Sequence, residues 1–164
     1  MLRIQYADYV ALRAHGEETY PNECCGVLLG KNSTEGNSAA AINTVHKVVR
    51  ADNTRTDSAH NRYNIAPQEL VKIQRQARGR GLGLDIVGFY HSHPDHPALW
   101  SPTDFAEAHW IGCSYVITSV ERGRASITNS FLLTGTTEDD KKFEDEAIEI
   151  EVAGTAPHNL KGQA

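Results

Sequence analysis

The stretch that decides the reading runs from Leu84 to Asp104: Leu84-Asp85-Ile86-Val87-Gly88-Phe89-Tyr90-His91-Ser92-His93-Pro94-Asp95-His96-Pro97-Ala98-Leu99-Trp100-Ser101-Pro102-Thr103-Asp104. Its first seven residues read as a strand that leads into His91-Ser92-His93. Residues two apart on a strand face the same side, so the imidazoles of His91 and His93 can point at one spot. After a Pro-rich loop, Ser101-Pro102-Thr103-Asp104 has the form of a helix start, with Ser101 as N-cap, Pro102 at the first helical position and Asp104 bonding back. Two neutral imidazoles and one carboxylate make a three-ligand set for zinc with a fourth position left for water, which separates a hydrolytic site from a closed structural one. Asp104 is the third ligand if the loop folds its helix start back toward the strand end. Spacing alone does not decide between that role and plain capping. Asp95 and His96 compete for it on a loop that Pro94 and Pro97 hold extended.

Around this stretch the chain alternates strands and helices. Residues 6 to 19 read as a helix with Tyr6, Tyr9, Val10 and Ala14 near one face and Gly16 as a weak point. Cys24 to Gly30 and Ala39 to Val49 read as strands, and the polar segment 50 to 61 as a loop. Pro67 opens a second helix whose Leu70, Ile73 and Ala77 fall at helical spacing, closed by Gly79, Gly81 and Gly83. Tyr115 to Val120, Ala125 to Leu133 and Ala147 to Val152 read as further strands. The mixture predicts a single α/β or α+β domain over residues 1–152. Ala153 to Ala164, with Pro157 and Gly162, reads as a mobile tail.

The 164 residues, 40% hydrophobic and 23% charged, have the balance of a soluble domain rather than a disordered or membrane protein. No apolar run reaches the roughly 20 residues of a bilayer span. The first residues lack the apolar core of a secretory signal, and three cysteines, two of them adjacent, make no disulfide framework; both point to a reducing cytoplasm. The net charge of −5 argues against nucleic acid as partner. It is also local: residues 138 to 151 hold eight acids against two lysines, and the rest of the chain carries 14 basic against 13 acidic residues. Ile148, Ile150 and Val152 alternate with Glu149 and Glu151, so this segment reads as the solvated face of a half-buried strand. Residues 50 to 80, with seven basic residues against three acids, also read as ordinary solvated surface. Cys24 and Cys25, as strand neighbours, point to opposite faces and read as small hydrophobes. Among the histidines outside the motif, His109 is the one to check.

The spacing resembles the signature of the JAMM (MPN-plus) zinc metalloproteases, and the context Tyr20-Pro21-Asn22-Glu23-Cys24-Cys25-Gly26-Val27-Leu28-Leu29-Gly30 is similar to their short, free-standing bacterial members. His91-Ser92-His93, seven residues, Ser101, two residues and Asp104 match it without a gap, with the upstream glutamate at Glu23. The resemblance covers roughly residues 5 to 152. It implies a mixed, curved sheet flanked by helices, the MPN/JAB domain with its cytidine-deaminase-like architecture. A deaminase itself is excluded, since no His-x-Glu is followed by Cys-x-x-Cys. It implies one zinc per chain held by His91, His93 and Asp104, with Glu23 as general base and acid. Ser101 would donate to the oxyanion, and Trp100 would either shield the site or pack on the domain.

The implied activity is a zinc-dependent peptidase or isopeptidase cutting after the C-terminal Gly-Gly of a ubiquitin-like or sulfur-carrier protein, in its maturation or deconjugation. The short connection from Asp104 to Tyr115 lacks the second insertion of eukaryotic chain-specific members, so selection of one ubiquitin linkage is not expected. The rival from another class is a non-catalytic MPN scaffold that binds a partner protein, but such relatives lack the metal-site residues that this chain keeps.

Overall fold

A computed structural model describes residues 1–34, 40–79 and 81–153, and the segment expected to form a mobile tail lies outside them apart from Ala153. The described residues form β1 (Leu2–Gln5), α1 (Tyr6–Thr19), β2 (Cys25–Thr34), β3 (Ala41–Ala51), α2 (Pro67–Arg78), β4 (Asp85–Pro94), α3 (Pro102–Glu107), β5 (Ser114–Glu121), β6 (Arg124–Thr134), β7 (Lys142–Glu146) and β8 (Ile148–Glu151). None of these helices is long and apolar enough to cross a membrane.

The strands join in one mixed sheet in the order β7-β6-β5-β4-β2-β3-β1-β8. β4 pairs parallel with β5 and antiparallel with β2, and β1 pairs parallel with both β3 and β8. The two strands at the ends of this order are consecutive in the chain, with only Ala147 between them. A single extended segment therefore bends at Ala147, whose carbonyl accepts from the Leu2 amide at 2.9 Å, and ties the two ends of the sheet together. The sheet is curled because both ends must meet that segment.

Side-chain alternation divides the core into two layers. Val27, Leu29, Phe89 and Tyr115 face α2, which adds Ile73 and Ala77. Leu28, Val87, Tyr90 and Val116 face the opposite way, toward Leu12 of α1 and Leu2 and Ile4 of β1. Cys25 belongs to the first layer and Cys24 to the second, as expected for strand neighbours.

α1 buries a different face from the expected one. Tyr6 and Val10 are 55% and 42% exposed, whereas Leu12, His15 and Gly16 are buried. Gly16 is a packing site rather than a weak point. A Cβ there would lie 3.0 Å from Val120 Cγ2 and 3.1 Å from Ser92 Cβ, so its absence lets α1 settle onto β4 and β5. β7 is an element the pattern did not announce, because among Lys142–Glu146 only Phe143 is apolar. The alternation expected around Ile150 also fails: Ile150 is 39% exposed while Glu151 is half-buried.

Gly26 pairs across the sheet with Tyr90, whose ring occupies the space a Cβ at Gly26 would need. The Tyr90 hydroxyl then meets His15 Nδ1 at 2.8 Å. Gly26→Ala is expected to lower stability by about 1–3 kcal/mol through overpacking. The measurement is the urea midpoint at unchanged slope; an unchanged midpoint would show that Tyr90 does not lie over this backbone.

Candidate metal centre

The alternation that builds the core continues past its apolar residues to the end of β4. His91 and His93 fall on the Phe89 side, and their ring centroids are 4.9 Å apart. Ser92 faces the other way, against α1, where its hydroxyl accepts from the Cys24 amide at 2.8 Å. Both imidazoles are buried at the strand end because β2 and β5 flank β4 on its two sides.

The loop after β4 is pinned at successive residues. Asp95 adopts a positive φ of 55°, and its carboxylate accepts from the Tyr20 hydroxyl at 2.6 Å and the Arg122 amide at 2.8 Å. The Ser119 hydroxyl donates to the His96 carbonyl at 2.7 Å, and the Asn129 amide group to the Ala98 carbonyl at 3.0 Å. This path brings the Pro97 carbonyl within 2.9 Å of His93 Nδ1. Since a carbonyl only accepts, Nδ1 carries the hydrogen and Nε2 is left with its lone pair toward the loop's end.

There the Ser101 hydroxyl accepts from the Asp104 amide at 3.1 Å, and the Asp104 carboxylate accepts from the Ser101 amide at 2.7 Å. This is a complete capping box. The same carboxylate reaches the histidines: Oδ1 lies 3.3 Å from His91 Nε2 and Oδ2 3.2 Å from His93 Nε2. The two Nε2 atoms are 3.1 Å apart. Capping and ligation, alternatives by spacing, coexist in one side chain.

These three residues form a group whose ligand atoms all lie within 4.8 Å of one another. In a neutral His93 the Nε2 lone pair faces the Asp104 carboxylate, so the two are held together either by a cation or by a proton on Nε2 that donates to Asp104. The donor set fits zinc. Burial lowers the His91 pKa. Burial would raise the Asp104 carboxyl, but hydrogen bonds from His91 and His93 outweigh it and hold the group well below the usual carboxylate range. Burial also depresses His93, while Asp104 and the Pro97 carbonyl together raise it.

Glu23 enters through strand register. Cys25 pairs with His91, and the Ser92 amide donates to the Cys24 carbonyl at 3.3 Å, so continuing the ladder brings Glu23 toward His93. Its amide donates to the Ala59 carbonyl at 2.8 Å. The side chain is only 4% exposed, and Oε2 has no hydrogen-bond partner among the described residues. Burial pushes its carboxyl up to about 8, although His93 pulls the other way. Glu23, His93, Ser101 and Trp100 line a cavity of about 330 Å³. Trp100 also packs against Phe105 and Phe143, with centroids 5.7 and 5.6 Å away, which is the packing role expected as one of its two readings.

The competing residues fall elsewhere. The Asp95 carboxylate is taken by Tyr20 and Arg122, and His96 lines the cavity but is not in the three-residue group. His109 lies beyond the end of α3, exposed, with Nδ1 2.8 Å from Glu138. Burial raises the thiols of Cys24 and Cys113 to about 11 and about 12, and Cys25 still further, which leaves them inert as nucleophiles. Two contributors were not singled out from sequence. Tyr63 stacks on His91 at a centroid distance of 4.6 Å, and the Pro97 carbonyl sets the His93 tautomer. Neither a backbone carbonyl nor a stack across distant segments leaves a spacing signal.

Known proteins resemble this chain in sequence and in fold. Two curated relatives are the desampylase of Haloferax volcanii, 34% identical over 99 residues, and the "probable TtuB-protein conjugate cleaving protease" of Thermus thermophilus, 33% identical over 113 residues. The matches cover 60% and 69% of this chain, and 63% and 66% of those proteins, just under two thirds of their length. The solution structure of a protein from Salinibacter ruber, 35% identical, superposes with a TM-score of 0.66 over 94% of both chains. A JAB1/MPN domain protein from Archaeoglobus fulgidus, 12% identical, shares the fold at a TM-score of 0.53 over 92% of this chain and 97% of its own. The profile of the prokaryotic homologs of the JAB domain matches residues 7–132, a span that holds all five motif positions, and the chain belongs to that family.

Proposed function

We propose that this chain is a zinc-dependent isopeptidase or peptidase that hydrolyses the bond after the C-terminal Gly-Gly of a ubiquitin-like or sulfur-carrier protein, maturing it or releasing it from a conjugate. The observation that carries this reading is the convergence of His91, His93 and Asp104 beside a cavity that Glu23 and Ser101 also line. The names of the two relatives, a desampylase and a protease for TtuB-protein conjugates, support the class of substrate.

His91, His93 and Asp104 would hold the zinc. When bound, zinc supplies Lewis acidity, polarising a carbonyl and lowering the pKa of water toward neutrality. Glu23 takes a proton from the attacking water and returns it to the leaving amine. A carboxyl that burial has shifted to about 8 is able both to hold and to release a proton near neutral pH. Ser101 accepts from the Asp104 amide and keeps its own hydroxyl hydrogen, which it donates to the scissile oxygen as negative charge grows there. Tyr63 and Pro97 hold the two imidazoles in place.

An extended chain suits a site at the end of a strand, and glycine before the cut permits close backbone approach. Leu99 and Trp100 line the cavity beside His93.

Three measurements test this reading. Purified protein is expected to hold one zinc per chain, and the double variant His91→Ala/His93→Ala to hold none and to lack activity; full zinc in that variant would place the metal elsewhere. Glu23→Gln should retain zinc and fold while kcat drops by about 10²–10⁴, and near-full activity on a confirmed substrate would remove Glu23 from its role. With an intact folded carrier protein, replacing its last Gly by Leu should reduce kcat/KM far more than changing the residue after the cut. Equal cleavage of the two substrates would indicate a general metallopeptidase.

A further inference from the structure

The acidic stretch before β7 contains a lysine that the mechanism does not use and that is not solvated. The Lys141 side chain is 5% exposed, although its neighbour Lys142 is 67% exposed. Its ammonium donates to the Ala108 carbonyl at 2.7 Å and lies 3.5 Å from the Ala106 carbonyl. It also sits 5.0 Å from the Phe105 ring centroid and 2.8 Å from Glu138. All three residues on the helix side belong to the end of α3, whose first turn carries Asp104.

α3 is short, and it meets the core through Phe105 and, just past its last residue, the buried Ala108. It spans six residues and buries none of them completely. The last carbonyls of any helix lack partners within it, and a cation there satisfies them and complements the helix dipole. The capping box fixes the N-terminal end, and Phe105 packs on Phe143 and Trp100. Lys141 is presented to the other end by a tightly tied turn. The Asp140 carboxylate accepts from the Thr136 amide at 2.9 Å, the Thr136 hydroxyl at 2.7 Å and the Thr137 amide at 2.6 Å.

We propose that Lys141 is a positioning residue for Asp104: by clamping the C-terminal carbonyls of α3 it holds the carboxylate of its first turn against His91 and His93. The inference rests on the metal-centre reading for its consequence, but the clamp itself is a property of the metal-free chain. Lys141 acts through the backbone of α3 and touches no reacting atom.

The test uses the full chain with Lys141→Met, Lys141→Arg and, as a control on the exposed neighbour, Lys142→Met. In metal-free Lys141→Met the amides of Phe105 and Ala108 are expected to exchange at least about 10-fold faster than in the parent, while those of β4 keep their protection. Zinc affinity, measured by competition with a chromophoric chelator, should weaken by about 10- to 100-fold, the usual effect of losing a group that supports a ligand. Lys141→Arg, which restores a cation and donors, should recover both, and Lys142→Met should change neither. Unchanged exchange and unchanged zinc affinity in a folded Lys141→Met protein would overturn the proposal, as would failure of Arg to restore them. If Lys141→Met does not fold, Lys141→Gln carries the same two readouts, and parental values for it would overturn the clamp. A parent chain that binds no zinc would overturn the functional reading, while the exchange data would still decide whether Lys141 holds α3.

Discussion

Every feature of the candidate site depends on β4 being flanked by β2 and β5 while carrying two chemically different faces. The ladder with β2 shifts register at Val87, and beyond that irregularity the side chains alternate, so the strand that contributes Tyr90 to one layer contributes Phe89, His91 and His93 to the other. Pairing on both sides leaves its backbone no freedom to rotate. The imidazoles are therefore placed by the sheet rather than by a loop, and loops supply only what must approach them. Gly16 and Gly26 serve the same end, since the close approach of α1 and the Tyr90 ring packs the reverse face of the strand.

The Asp104 carboxylate shows how helix capping and ligand placement combine. One oxygen accepts from the Ser101 amide, and the two together face His91 and His93. Burying an ionised carboxylate costs several kcal/mol unless its lone pairs are met. Here the cap and the imidazoles meet them. Glu23 is the opposite case. Its Oε2 is buried without a partner among the described residues, and its pKa is raised rather than lowered. Two neighbouring carboxyls are thus pushed in opposite directions, Asp104 toward the ionised form and Glu23 toward the protonated one.

The acidity near the C-terminal end of the described chain is structural. Residues 142–151 join the two ends of the sheet, pairing with β6 before Ala147 and with β1 after it. Glu149 and Glu151 face Arg3 at 3.3 and 3.6 Å across the parallel pair, and Ser130 donates to Glu146 at 2.6 Å. A segment that must pair on both ends of a curled sheet keeps little apolar surface of its own, so charged side chains toward solvent suit it.

What the sequence determined by itself is local. The two-residue repeat of His91 and His93, the cap of Ser101 and Asp104, the Pro67 start of α2 and the apolar runs of β4 and β5 are each set by contacts within a few residues, and each is present as read. What only the tertiary structure decided depends on register and on backbone groups. The β2–β4 ladder, not any spacing, brings Glu23 to the histidines. A carbonyl that no side chain advertises orients His93. The buried face of α1 is Leu12, His15 and Gly16 because the helix needs a small residue against Ser92 and Val120, and that requirement outweighs the scattered apolar residues on its other sides. β7 escaped the pattern for the related reason that a strand spanning the ends of a sheet is specified by its partners' hydrogen bonds, which a residue's own side chain does not encode.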